Sequence, residues 1–372
     1  MEAAMSTDLP RPARLVLMMA AVATLLAGIV GGLLRLGWII HAPADLAALH
    51  GPLMICGAFG TLIGLERAVA MRSKWVYAGP VLTLAGTVIL FWLPQVGIAL
   101  MAGGAAVLLA ACFLLWQRHT HLFNLVLTIA AACWLTGLLV WCVGSELTPA
   151  VPWWVAFLTL TIAGERLELT RLLPPSAERL LYFRLIVLVL LGGLVFYGPT
   201  GWPQLFGMGL VLLAFWLMSE DVARRTLMLS GQSRYIAICL LSGYVWLALG
   251  GAIMVFVDRN WLPGAPGYDA SLHALMVGFV MSMVFGHAPI ILPALTRLKL
   301  NYHDGFYLPL GLLHLSLLLR VGGDALADEL PRRLGGAGNA LALLAFAATI
   351  LHTLWRPHQQ ASLHTKGASN GA

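Results

Sequence analysis

Residues 49–70 read LHGPLMICGAFGTLIGLERAVA, and this stretch decides the fold. No side chain between His50 and Glu66 carries a full charge, and the apolar residues run continuously instead of alternating. A helix of this length covers roughly 30 Å, the thickness of a bilayer's hydrocarbon layer. Lipid offers no hydrogen bonds, so a crossing backbone must satisfy itself as a helix or a closed barrel. A continuous apolar block is the helical case.

Similar blocks fill the rest of the chain. The spans they predict are 15–37, 49–70, 75–94, 96–116, 122–143, 152–170, 181–198, 203–219, 235–257, 271–294, 305–320 and 335–353. Short breaks such as Leu93-Pro94-Gln95 separate them, and no long linker appears. The reading is an all-α polytopic membrane protein of about 12 transmembrane helices in one domain over 1–372. Segment 1–14 is expected to be a cytoplasmic N-terminal segment, and 355–372 a cytoplasmic tail. The first block is too long for the core of a signal peptide, which favours its staying as a span. Composition agrees: 60% of residues are hydrophobic, 10% are charged, and mean hydropathy is +0.87. Soluble domains carry about 25% charged residues.

The formal charge of +6 raises nucleic acid as a partner, but the basic residues sit in short loops beside apolar blocks. With the N-terminus inside, 17 of the 22 Lys and Arg fall on the cytoplasmic side. The other five are Arg35, Arg259, Arg320, Arg332 and Arg333. This bias orients the chain with both termini cytoplasmic. All five cysteines lie inside apolar blocks without metal-type spacing, which argues against a disulfide framework or a zinc site. Trp38, Trp153, Trp154, Trp202 and Trp261 fall at outer boundaries, where tryptophan commonly anchors to the interface.

A weak repeat joins spans 2, 6 and 10. They end in Ile63-Gly64-Leu65-Glu66-Arg67, Ala163-Gly164-Glu165-Arg166 and Phe285-Gly286-His287-Ala288, so the chain reads as three four-helix units.

Ionisable groups inside a membrane are costly and mark function by default. His50 and His273 begin spans 2 and 10 at the same outer level. Two imidazoles on facing helices can ligate a haem iron from both sides, with Arg332 and Arg333 pairing with its propionates. The alternative is that each ring satisfies a backbone group or sits at a wet interface. Met54 and Met276 follow one turn below, placed to pack on the haem or to act as axial ligands. His314, deeper in span 11, is either a further ligand or a hydrogen-bonded helix contact.

A second cluster lies at the opposite ends of these helices. If the repeat is real, Glu66, Glu165 and His287 converge there, and such a set suits a divalent metal or a proton-loading site. The alternative is an ion-pair network of Glu66 and Glu165 with Arg67 and Arg166.

Some of these motifs resemble known ones. His50-Gly51-Pro52-Leu53-Met54 resembles the His-Gly-x-x-Met motif in the second helix of haem–copper oxidase catalytic subunits. Leu272-His273-Ala274-Leu275-Met276-Val277-Gly278, with Met281 and Met283, resembles the His-Ala-Leu-x-x-Gly stretch of the NnrS family. Gly243-Tyr244-Val245-Trp246-Leu247 resembles that family's Gly-Tyr-x-Trp-Leu helix. The resemblance implies a bacterial inner-membrane protein of twelve spans in three four-helix arcs. It implies haem b on His50 and His273, and work on nitric oxide, in nitrosative stress or in electron transfer with a redox partner. Spans 6 and 7 contain no histidine, and Leu275 stands where the oxidase has a second one. An enzyme of this kind would be a haem-dependent oxidoreductase without the usual copper site, and copper or another divalent ion elsewhere stays open. The further histidines usual in the second NnrS span, and its His-Thr-Gly near the end of the tenth, are not cleanly reproduced. A haem-free transporter or channel using the Glu/Arg/His cluster is the rival from another class, and an assembly or scaffolding protein is a third.

Overall fold

The computed structural model describes residues 8–170, 175–196, 203–256, 265–296 and 300–369. Among them every regular element is helical. The long helices, in chain order, are α1 Arg11–Arg35, α2 Asp45–Met71, α3 Ala78–Ile89, α4 Pro94–Arg118, α5 Leu122–Gly144 and α6 Val151–Leu169. They continue as α7 Ala177–Val195, α8 Pro203–Glu220, α9 Gly231–Phe256, α10 Pro266–Pro293, α11 Tyr307–Leu326 and α12 Glu329–Ser369.

Nine of the described helices are long and apolar enough to cross a membrane. Three fall short for visible reasons. Helix α3 has only 12 residues. Helix α6 carries Glu165, Arg166 and Glu168, and α7 carries Glu178, Arg179 and Arg184. Large apolar side chains also face outward, with Val16 66%, Leu188 62%, Phe215 61% and Leu315 69% exposed. So many outward-facing large apolar side chains suit a lipid environment.

Local chemistry sets the helix ends. Pro94 opens α4, where a missing N–H has no intrahelical partner to lose. Asp45 and Glu329 occupy the first turns of α2 and α12, and Arg35 and Arg118 the last turns of α1 and α4, each favourable to the helix dipole. Arg72, Ser145 and Ala327 take the left-handed conformation that stops α2, α5 and α11.

Sequence neighbours pack as pairs, α1 on α2, α4 on α3 and α5, α5 on α6, α8 on α7 and α9, α9 on α10, and α11 on α12. Contacts between helices distant in sequence draw the bundle together, α12 and α10 against α1 and α6 against α10. Aromatic stacking fills the middle, with Trp134 on Phe157 at 5.0 Å and Phe285 on Phe346 at 3.8 Å.

Helices α2 and α10 share an irregularity. Leu53–Gly60 and Ala274–Val280 wind as π-helix, each just after His50 or His273. A π segment rotates the side chains that flank it and recurs at functional sites. Gly278 lies inside the second segment, where a Cβ would stand 2.4 Å from the Trp246 ring, so only glycine lets α9 approach.

Several expectations need correcting. Arg332 and Arg333, read as outer-loop residues, lie near the start of α12. Helix α11 runs to Leu326, so Arg320 sits well inside it instead of at its end. The stretch expected to be a cytoplasmic tail, 355–372, is helical as far as Ser369, which does not contradict that expectation. Trp154, read as an interface anchor, is completely buried. Trp202, Trp261 and Arg259 lie outside the described residues.

Candidate functional site

A cavity of about 440 Å³ opens between α1, α2, α6, α10, α11 and α12. Ligand cavities commonly hold about 300–1,000 Å³. Both His50 and His273 line it, with Met54 and Met276 beside them. The wall is otherwise largely apolar, formed by residues such as Ile29, Leu33, Phe59, Trp154, Leu272 and Leu343.

Each histidine is held through the same atom. His50 Nδ1 lies 2.6 Å from the Gly28 carbonyl of α1. His273 Nδ1 lies 2.7 Å from the Asp269 carbonyl one turn back on α10. A carbonyl oxygen can only accept, so each Nδ1 keeps the proton and donates, leaving the lone pair on Nε2. Metal-bound histidines are oriented in the same way. Gly32 makes the first of these contacts sterically feasible. A Cβ there would lie 2.8 Å from His50 Cε1 and 3.0 Å from Nδ1.

Charge gathers on one side of the cavity. Arg35, Arg320, Arg332 and Asp269 all contribute to its lining. Arg332 Nη2 donates to Asp269 Oδ2 at 2.6 Å, and its Nε stands 3.0 Å from Asp324 Oδ1. Asp269 thus orients His273 with its carbonyl and Arg332 with its carboxylate. Arg320 differs from its neighbours. It is only 6% exposed, its Nε has no hydrogen-bond partner, and no ion pair holds its guanidinium among the described residues. An unpaired buried charge is strongly unfavourable, and a partly buried arginine in a cavity wall suits an anionic ligand.

The remaining candidates separate. Arg333 does not line this cavity. It donates to the Gly37 carbonyl at 3.0 Å, stacks over Trp38 at 5.2 Å, and borders a neighbouring recess of about 380 Å³ that also includes Arg35 and Arg332. His314 is also outside the lining, and its Nδ1 accepts from Trp246 Nε1 at 3.0 Å. Arg320, Arg35 and Asp269 were not singled out from the sequence. Arg320 had a usable signal, a charge inside the apolar run Leu317-Leu318-Leu319-Arg320-Val321.

At the opposite end of α2 and α10, sixteen residues beyond His50 or roughly 24 Å along the helix, Glu66, Glu165 and His287 meet. One ligand atom from each lies within 4.8 Å of the others. His287 Nε2 is 3.8 Å from Glu66 Oε1. Among the described residues no arginine makes a direct ion pair with either glutamate, although Arg67 and Arg166 lie near enough to act on the Glu165 charge.

Fold and site together define a polytopic helical membrane protein with a histidine-walled cavity at one end and an acidic histidine cluster at the other. Residues 14–355 match the family described as "Domain of unknown function (DUF8744)", and the chain belongs to it. No curated protein and no solved structure matches the chain.

Proposed function

We propose that this protein binds haem, with His50 and His273 as the two axial ligands, and works in electron transfer connected with nitric oxide or nitrosative stress. What carries the reading is the pair of imidazoles in one apolar cavity, each with Nδ1 committed to a carbonyl and its Nε2 lone pair available. The donor set fits the group: two neutral nitrogens for iron, an apolar wall for the macrocycle, and the unpartnered guanidinium of Arg320 for a propionate. Haem supplies a one-electron couple when bound. The residues of this chain would hold it between two helices, screen it from water with the wall that includes Phe59 and Trp154, and face its acidic edge with Arg320 and Arg332. Were both imidazoles to bind the iron, no position would remain for a gas, which favours electron transfer over gas chemistry.

The same proposal includes the NnrS-like arrangement of twelve spans in three four-helix arcs, in a bacterial inner membrane with both termini cytoplasmic. It is supported by helices at each of the twelve predicted spans, by the meeting of Glu66, Glu165 and His287 from α2, α6 and α10, and by the asymmetry of Lys and Arg. The test is an optical spectrum of the purified protein expressed with ample haem. Sharp Soret and alpha bands on reduction, with one b-type haem per chain by pyridine haemochrome, are expected. A colourless, well-folded preparation would overturn the reading and favour the haem-free transporter.

A further inference from the structure

We propose that Glu66, Glu165 and His287 form a binding site for a divalent first-row transition-metal ion, separate from the histidine cavity. The three side chains come from three helices, yet one ligand atom of each lies within 4.8 Å of the others. His287 Nε2 is buried, has no hydrogen-bond partner, and faces Glu66 Oε1 at 3.8 Å.

The obvious competing role is structural ion pairing, and here Arg67 and Arg166 act on the Glu165 charge only at a distance, without direct contact. No lysine or arginine among the described residues pairs with either glutamate, and Arg67, next in sequence to Glu66, keeps a buried Nε without a hydrogen bond. Two carboxylates this close repel each other strongly away from bulk water. Arg166 and Arg67 act on this charge from a distance without bridging the carboxylates, whereas a doubly charged cation between them does bridge them.

The donors also select the ion. Two carboxylate oxygens and one imidazole nitrogen suit Zn²⁺, Mn²⁺ or Fe²⁺, while a soft ion such as Cu⁺ prefers sulfur. Ligand atoms about 2.0–2.1 Å from a tetrahedral ion lie roughly 3.4 Å apart, so the cluster needs to close only a little. The side chains of His287 and Glu66 are 29% and 33% exposed, which leaves room for that movement and for water in the remaining coordination position. Glu66 and Glu165 lie about one turn from the ends of α2 and α6.

The experiment uses the full chain in detergent, stripped with chelator and titrated separately with Zn²⁺ and Mn²⁺, with metal counted by mass spectrometry after desalting. One equivalent of either ion per chain is expected, with an X-ray absorption shell of oxygen and nitrogen that includes one imidazole. Glu66→Gln, Glu165→Gln and His287→Asn should each weaken binding at least about tenfold, while Glu146→Gln, outside the cluster, should not change it. The wild-type titration decides the matter even if a variant fails to fold. A monodisperse wild-type chain that retains neither ion, its carboxylates holding protons instead, overturns the proposal. Retention unchanged by all three substitutions overturns it too.

Discussion

Replacing Arg320 by methionine should lower both the stability of the ligand-free protein and its affinity for haem. Arg320 is buried and no carboxylate pairs with it directly, although Asp324 and Asp269 stand near enough to act on its charge. Those two acids both engage Arg332, so one guanidinium serves two carboxylates and Arg320 supplies the second positive charge that balances them. Removing one member of a buried charged set commonly costs about 3–5 kcal/mol, because it leaves a charge uncompensated. The ligand-free protein should therefore melt earlier. The haem complex should weaken, because a hydrogen bond between charged groups contributes about 1.5–3 kcal/mol. At about 1.4 kcal/mol per tenfold, that is roughly a 10- to 100-fold loss of haem affinity. Haem titration of the apoprotein, followed at the Soret band, measures the lost affinity, and thermal unfolding of the same sample measures the lost stability. An Arg320→Met protein that binds haem like the wild type, or whose apoprotein melts no earlier, would refute this role for Arg320.

Other consequences follow from the same contacts. Gly32→Ala places a methyl 2.8 Å from His50 Cε1, forcing the ring off the Gly28 carbonyl. Overpacking and the lost hydrogen bond together cost about 2 kcal/mol, read as a broadened alpha band and weaker haem retention. Asp269→Asn keeps the carbonyl that holds His273 but weakens the ion pair with Arg332, so haem affinity should fall by less than in His273→Ala. His314→Ala should leave the haem spectrum unchanged, since His314 packs on Trp246 outside the cavity, and an altered spectrum would place it among the ligands.

How much of this could be read from the chain depends on the kind of interaction involved. Helix positions were legible because apolar blocks end at residues with local reasons to stop them. The expected span 122–143 and the observed Leu122–Gly144 differ by one residue, and the helix expected from residue 96 starts at Pro94, inside the break expected at Leu93-Pro94-Gln95. His50 and His273 were legible because an imidazole in an apolar block is conspicuous. The meeting of Glu66, Glu165 and His287 followed only from a three-fold repeat, and the lack of a direct arginine ion pair depends on rotamers that no sequence pattern encodes. Arg320 was lost because ending span 11 at that residue turned an intramembrane charge into a loop charge. Trp154 was misread because boundary position alone does not say which face of α6 is covered, and its ring turns inward to the cavity. The π segments after both histidines have no sequence signature at all.

The claim at the centre of the account is that both imidazole Nε2 atoms coordinate one iron. Electron paramagnetic resonance of the oxidised protein, compared with His50→Gly and His273→Gly, tests it directly. The wild type should be low-spin. Each single variant should turn high-spin and bind carbon monoxide once reduced, and added imidazole should restore the low-spin signal. A low-spin signal that survives either substitution would contradict the account.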